Sequence, residues 1–276
     1  MMYSILINTC DKFEDCWDPF FKLWSLYWSD CKGKIYLNTE FKDFRHEGLD
    51  VHAIKGCIGK PFKGKYATWS QCLKWALDCI DTDIVLYMQE DYFLKAKVDN
   101  DVVEMYVTLM SEHKDIQCIH LTDQSVHAEK PSEFENLDEV ALKQRYRVSC
   151  QAALWRKEEL YRLIREYENA WEFEEFGSQR SAIIGNRYLC VSRDIVKLDK
   201  YEIIPYIFTG IVQGRWMEQT KPLFEKHGIE MDWSRRGFLG DAPCKPLKKR
   251  IYYRWNKIWK NLRNKRELTI LRKHYL

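Results

Sequence analysis

Apolar residues along the chain fall into short runs separated by longer stretches with helical spacing. Ser4–Asn8, Lys34–Asn38 and Asp50–Ile54 are strand-like. Asp18-Pro19 starts a helix that runs to about Ser29, with Asp as N-cap and Pro at the first helical position. A loop with three Gly and one Pro covers 56–64. A helix follows over about Thr68–Cys79, with Leu73, Ala76, Leu77 and Ile80 on one face. Ile84–Met88 is a continuous apolar run, the pattern of a strand covered on both faces, and it ends at Gln89-Glu90-Asp91.

A helix over Asp101–Glu112 and a strand over Ile116–Leu121 come next. This β-α-β alternation predicts an α/β fold with a doubly wound, mostly parallel, Rossmann-like sheet in a single domain. Residues 122–146 are polar and acidic and are expected to form a loop excursion. Val148–Leu154 is a further strand, and Lys157–Tyr167 a helix. Trp171–Arg180 is dense in acids and aromatics, and Pro205–Val212 is expected to pair at a sheet edge. Gly237–Pro246, with two Gly and two Pro, reads as a linker. The expected division is 1–236 as the main domain, 237–246 as linker and 247–276 as a C-terminal helix. Nothing repeats, and no tract is of low complexity.

Charge sharpens this division. The chain of 276 residues carries a formal charge of +3, yet 245–276 hold twelve Lys or Arg and one acid, Glu267. The remainder, 1–244, has 32 basic and 40 acidic residues, a net of −8. A polyanion should therefore meet the tail and not the body. Within the tail, Ile251, Trp255, Ile258, Trp259 and Leu262 share one helical face, and Lys249, Arg250, Lys257, Lys260 and Arg263 occupy the other. A basic amphipathic helix with Trp at its apolar edge suits an anionic membrane surface. Nucleic acid is not expected as a partner, because no binding motif accompanies the charge.

The ten Cys are scattered without a CxxC pair or a zinc spacing. No segment has the character of a signal peptide or a membrane span. Scattered thiols without a leader predict a reducing, cytoplasmic setting, peripheral at the inner face of the plasma membrane.

Glu90 and Asp91 fall where ligands bind in open parallel sheets, beyond a strand's carboxyl end. Two adjacent carboxylates are costly there unless a cation compensates them, and carboxylate oxygens suit Mg²⁺ or Mn²⁺. Gln89-Glu90-Asp91-Tyr92-Phe93-Leu94 resembles the acidic motif of GT-A glycosyltransferases, and three other segments share in the resemblance. Asn8-Thr9-Cys10-Asp11-Lys12 resembles the loop that holds base and ribose. Trp69-Ser70-Gln71 resembles a donor-contacting stretch. Glu168-Asn169-Ala170-Trp171-Glu172-Phe173-Glu174 resembles the later motif that carries the catalytic base of inverting members. In particular, the chain resembles glycosyltransferases of bacterial capsule and lipopolysaccharide gene clusters, over roughly residues 3–220.

The resemblance implies a GT-A fold that uses a nucleotide-sugar donor, with UDP the first choice and GDP the fallback. The acceptor would be a glycan or lipid-linked glycan, and transfer would be inverting. It implies Glu174 as base, with Glu172 as runner-up. Donor contacts would come from Thr9, Asp11, Lys12, Trp69, Ser70, Glu90 and Arg215, and Asp91 would be the metal ligand. His227 and Asp232 are candidates for a further ligand. Arg180, Arg187, Arg215 and Lys221 are candidates for the diphosphate, Arg215 within Gly214-Arg215-Trp216. Trp171 would either stack on a sugar or pack in the core. Gln89 departs from the motif, which holds Asp at that position. That departure keeps open a transferase-like binding module without activity. A nucleotidyltransferase is the other alternative, and the absence of Gly from the loop after the first strand disfavours it.

Overall fold

The computed structural model describes residues 2–62, 64, 66–123, 126, 128–241 and 247–275, and for 247–255 the backbone alone. The strands are β1 (Ser4–Asn8), β2 (Lys34–Asn38), β3 (Val51–Ala53), β4 (Ile84–Gln89), β5 (Ile116–His120), β6 (Ala128–Pro131), β7 (Leu137–Val140), β8 (Ala153–Arg156), β9 (Arg187–Val191), β10 (Ile211–Val212) and β11 (Arg215–Trp216). The helices are α1 (Trp17–Tyr27), α2 (Trp69–Asp78), α3 (Asn100–Glu112), α4 (Lys157–Leu163), α5 (Ala170–Ile184), α6 (Thr220–Lys226) and α7 (Leu247–Tyr275).

Nine strands form one sheet in the order β3-β2-β1-β4-β8-β5-β9-β7-β6, and β10-β11 is a separate hairpin. Seven strands of the large sheet run in one direction, and β8 and β7 run against them. Alternation along each central strand feeds two cores. Ile5, Ile7, Leu86 and Met88 face α1 and α3, while Leu6, Val85 and Tyr87 face α2, α4 and α5. The expected α/β architecture, with one large sheet covered on both faces and a C-terminal helix, is therefore observed.

Three local expectations change. The 122–146 excursion contains β6 and β7, whose polar edge positions hide the alternation of a strand. The strand expected over Val148–Leu154 is displaced to β8, and residues 148–152 are instead buried irregular chain. Pro205–Val212 lies apart from the large sheet, its first part along the segment that follows β4 and its last two residues as β10, paired with β11. Lys95 N donates to Pro205 O at 2.9 Å and Ile207 N to Phe93 O at 3.0 Å, with a bridge between Leu94 and Tyr206.

The expected linker is packed where it is described. Phe238 stacks on Trp233 with centroids 5.3 Å apart, Trp216 N donates to Gly237 O at 3.0 Å, and Leu239–Asp241 forms a 3-10 turn. Residues 242–246 lie outside the described residues. Beyond them α7 docks on α5 through positions 257, 260, 264 and 268, at steps of three and four. Lys260 Nζ reaches Glu172 Oε2 at 2.7 Å, Asn264 donates to Gln179 at 2.8 Å, and Lys257 pairs with Glu175 at 3.3 Å. Arg165 and Tyr167 both bind Glu267.

Arg180 sits at the centre of α5's packing, fully buried. Its guanidinium donates to both Glu168 oxygens at 2.6 Å and to Leu163 O at 2.8 and 3.1 Å. The carboxylate and the α4 carbonyl thus take four of its five N–H donors in the buried interior, away from the sheet's ligand edge, so it does not serve as a diphosphate ligand. Removing one member of such a pair strands a buried charge, at a cost of about 3–5 kcal/mol. Arg180→Met should lower unfolding free energy in urea by that amount, and Arg180→Met with Glu168→Leu should recover part of it.

Candidate functional site

The parallel strands β2, β1 and β4 end in register at Asn38, Asn8 and Gln89. Their polar ends are tied together. Asn38 donates to Asn8 Oδ1 at 2.7 Å, and Asn8 and Gln89 both donate to Tyr87 Oη at 3.2 Å. Above this floor a cavity of about 680 Å³ is lined by Thr9, Lys12, Trp69, Glu90, Asp91 and Glu174 among others. These six come from four separated segments of the sequence. Their convergence is what the fold adds.

Thr9 is held by the Trp17 indole, whose Nε1 donates to Thr9 Oγ1 at 2.9 Å. Trp69 opens α2, which is fixed by the Thr68 capping box, and its ring lies 5.5 Å from that of Phe173 on α5. Lys12 is exposed at the rim, and no ion pair holds it among the described residues. The 208–214 segment, not anticipated from sequence, forms another wall. Asp91 holds that wall, because one of its oxygens accepts from Thr209 Oγ1 at 2.6 Å and from Ile211 N at 3.0 Å. Gly210 N in turn donates to Asp91 O at 2.9 Å.

Glu90 and Asp91 are both buried. Burial and the adjacent Asp91 charge push the Glu90 carboxyl well above the usual range. Burial raises Asp91 too, against its hydrogen bonds from Thr209 and Ile211. Arg236, which is bound to Asp15 at 2.7 Å, offsets part of the Glu90 penalty. The pair is thus short of positive charge. Its donors are all carboxylate oxygens, the kind that Mg²⁺ or Mn²⁺ takes while drawing its other ligands from phosphate and water. Among the described residues no third His, Cys, Asp or Glu joins the pair; the one such group is Glu40, Cys57 and Cys72. His227 instead meets Tyr27 Oη at 2.8 Å, and Asp232 caps the turn at Ser234.

Glu174 stands apart from the acid pair on α5, whose first turn is fixed by the Asn169–Glu172 capping box. Glu174 Oε1 accepts from Cys150 N at 2.8 Å, and burial raises its carboxyl above the ordinary value. Glu172, expected as the runner-up base, is not in the cavity. Two residues along the helix, it turns back to cap Asn169 N at 3.0 Å and to bind Lys260. Trp171 is 70% exposed and lines the cavity, so it is not a core residue.

Three expected donor residues have structural duties. The Asp11 carboxylate accepts from the backbone of Glu40, Phe41 and Lys42 at 2.9–3.2 Å, fixing the loop after β2. Ser70 is fully buried and donates to Glu168 O at 2.9 Å. Arg215 sits beside the cavity wall with its guanidinium toward Phe238 O. Arg187, in a strand not foreseen from sequence, is bound by Asp115, Glu133 and Glu139. Lys221 is exposed on α6, near Glu225.

No protein-family model matches the chain, and no curated protein matches it. Solved structures similar to it include S. aureus TarS 1-349 in complex with UDP-GlcNAc, at 13% identity and a TM-score of 0.47, covering 74% of this chain and 60% of that one. The bifunctional IspDF from Campylobacter jejuni is similar at 14% identity and a TM-score of 0.38, covering 74% and 52%. An active-site mutant of LgtC is similar at 12% and 0.33, covering 62% and 61%. The chain thus spans less than two thirds of the length of each. At such values no shared activity follows, and the chemistry has to come from the residues themselves.

A Cβ on Gly210 would lie 2.4 Å from the Phe93 ring and 3.0 Å from Asp91 O. Neither neighbour can give way, since Phe93 is buried against Trp216 and Phe224. Gly210→Ala should therefore push the 208–214 wall off Asp91 and lower stability by about 1–3 kcal/mol, as overpacking does. Thermal unfolding and limited proteolysis around residue 210 would check this.

Proposed function

We propose that the protein is a GT-A-type glycosyltransferase that moves a sugar from a nucleotide-sugar donor, with UDP as first choice, to a hydroxyl of a glycan or lipid-linked glycan. The observation that carries this reading is a single cavity with two separate acidic centres. One is the buried pair Glu90-Asp91 at the end of a parallel strand. The other is the half-buried Glu174 on α5, which lines the same cavity. Sugar transfer from a nucleoside diphosphate needs both, since charge must be neutralised at the leaving group and a proton removed from the acceptor.

In this reading Thr9, Trp69 and the β1 loop hold the nucleoside, and Lys12 faces the diphosphate from the rim. Glu90 and Asp91 would hold Mg²⁺ or Mn²⁺, which when bound supplies positive charge to the leaving diphosphate. Glu174, anchored through one oxygen by Cys150 N, takes the proton of the acceptor hydroxyl as it attacks the anomeric carbon. A base on the face opposite the leaving group gives inversion. Residues 1–236 would form the catalytic domain, with 237–246 leading into the tail.

The exposed side of α7 supports peripheral attachment to an anionic membrane at the cytoplasmic face. Ile258, Trp259, Leu262 and Ile270 are 44–68% exposed and lie opposite the face that docks on α5. The side chains of Ile251 and Trp255 lie outside the described residues. No helix among the described residues is long and apolar enough to cross a membrane. Interfacial burial of this ridge beside basic residues, each worth about 1 kcal/mol near an anionic leaflet, suits attachment at the surface.

Thermal shifts against UDP, GDP, CDP and ADP, with Mn²⁺, with Mg²⁺ and with chelator, test the donor site. Stabilisation by a nucleoside diphosphate that needs metal and disappears in Asp91→Asn is expected; no shift with any nucleotide would sink the reading. Glu174→Gln should keep nucleotide binding and lose about 10²–10⁴-fold in transfer. The base works deprotonated and its carboxyl is raised. Activity should therefore climb with pH through a pKa above the ~4.3 of free glutamate, and the variant's residual rate should lack that limb. For the membrane, Trp259→Glu with Leu262→Glu should cut sedimentation with phosphatidylserine vesicles at least tenfold while leaving nucleotide binding unchanged.

A further inference from the structure

We infer that the acceptor is a phosphate-bearing glycan, held in a second groove that opens from Glu174 and has α7 as a wall. The inference rests on the transferase reading above. The groove encloses about 1110 Å³ and shares Tyr146, Trp171 and Glu174 with the donor cavity. That exceeds the ~300–1,000 Å³ of ordinary small-molecule sites, so it has room for more than one sugar. It runs between α5, the 142–146 segment and the part of α7 that carries Lys257, Leu268 and Arg272.

Two aromatic side chains stand where the cavities join, and Arg145 covers one face of the Tyr146 ring. Trp171 is 70% exposed and Tyr146 is 37% exposed. Tyr146 is held at φ +59°, a conformation that a bulky residue rarely adopts. Local strain of this kind concentrates at binding sites. Flat apolar faces beside a base suit the CH face of a sugar ring.

Charge selects the kind of sugar. Lys143, Arg145, Lys257 and Arg272 line the groove against Glu174 and Glu175. Lys257 is matched by Glu175 at 3.3 Å, and Arg145 lies over its neighbour Tyr146, 4.7 Å from the ring centre. Lys143 and Arg272 have no ion-pair partner among the described residues. A neutral glycan offers such cations nothing that water does not. A phosphate offers charge-assisted hydrogen bonds, bidentate in the case of Arg. The apolar ridge lies on the opposite side of the same helix, and a phosphate linking a glycan to a lipid carries the charge these cations take. A phosphodiester within a soluble glycan presents the same chemistry.

The test uses the full chain saturated with UDP. It measures by calorimetry the affinity of octyl hexosides and of the same sugars as octyl phosphodiesters and octyl diphosphates, for glucose, galactose and N-acetylglucosamine. At least one phosphorylated probe should bind ten times or more tightly than its neutral counterpart. Lys143→Ala with Arg272→Ala should erase that advantage without changing the Kd of UDP, which also reports an intact fold. Trp171→Ala should weaken neutral and charged probes alike. A preference for the diphosphate points to a lipid carrier, and parity with the phosphodiester to a phosphate inside the glycan. Equal binding of neutral and phosphorylated probes, or a preference that survives the double variant, overturns the inference. A wild-type protein that binds no UDP would instead overturn the transferase reading beneath it.

Discussion

The rest of the site depends on two adjacent carboxylates buried at the carboxyl end of a parallel strand. Glu90 and Asp91 are nearly inaccessible, and burial disfavours their charged forms. The chain responds on three sides. Thr209 and Ile211 donate to Asp91, which fixes the 208–214 wall. Arg236 brings positive charge from a segment far downstream in the chain and is itself anchored on Asp15 near the first strand. The third side faces the cavity, where the proposed cation would sit. Trp216, Phe224, Trp233 and Phe238 pack ring against ring in the same region, with the Arg236 guanidinium 6.0 Å from the Trp216 ring centre. Natural proteins accept such local instability where function requires it.

The central architecture was legible because buried parallel strands have a strong signature. Ile84–Met88 and Ser4–Asn8 are buried on both faces, and each run leads into polar residues that mark the sheet's ligand edge. Edge strands give no such signal. In β6 every position is exposed, and in β7 only Leu137 and Val140 turn inward. β9 escaped for another reason. Its first residue, Arg187, drew attention as a lone cation, while Gly185, at φ +80°, marked a helix stop with a strand soon after it.

Of the site, what sequence conveyed was which turns matter, and what it could not convey was which side chain in a turn faces inward. Residues 9–12 illustrate this. Thr9 and Lys12 line the cavity, whereas Asp11 between them turns away to bind three backbone amides after β2. The same division separates Trp69 from Ser70 and Glu174 from Glu172. In each case the residue lost to structure takes its own route to another partner, Asp11 to the backbone after β2, Ser70 to Glu168 O, and Glu172 to Asn169 N and Lys260. Such routes exist only once distant segments have met. The 208–214 wall was hidden on the same grounds, since Pro205–Val212 reads as a sheet edge and Gly214 as part of a basic element, while Gly210 matters only because Phe93 lies against it.

The helix α5 gives the tail a meaning beyond tethering. Its first two turns carry Glu172, Glu174 and Glu175 in close succession, and the three are bound in different directions. Glu172 and Glu175 hold Lys260 and Lys257 of α7, while Glu174 reaches back to Cys150. A shift of α7 therefore pulls on the same two turns that position the proposed base. Those contacts involve two partly exposed ion pairs, each modest in energy, together with the buried Asn264 and Leu268. Attachment of the far side of α7 to a membrane surface would orient the helix by its apolar ridge and so bias the position of α5. Membrane contact on α7 and base placement on α5 would then be coupled through these contacts. An enzyme arranged in this way would find its acceptor at the surface that also sets its catalytic helix.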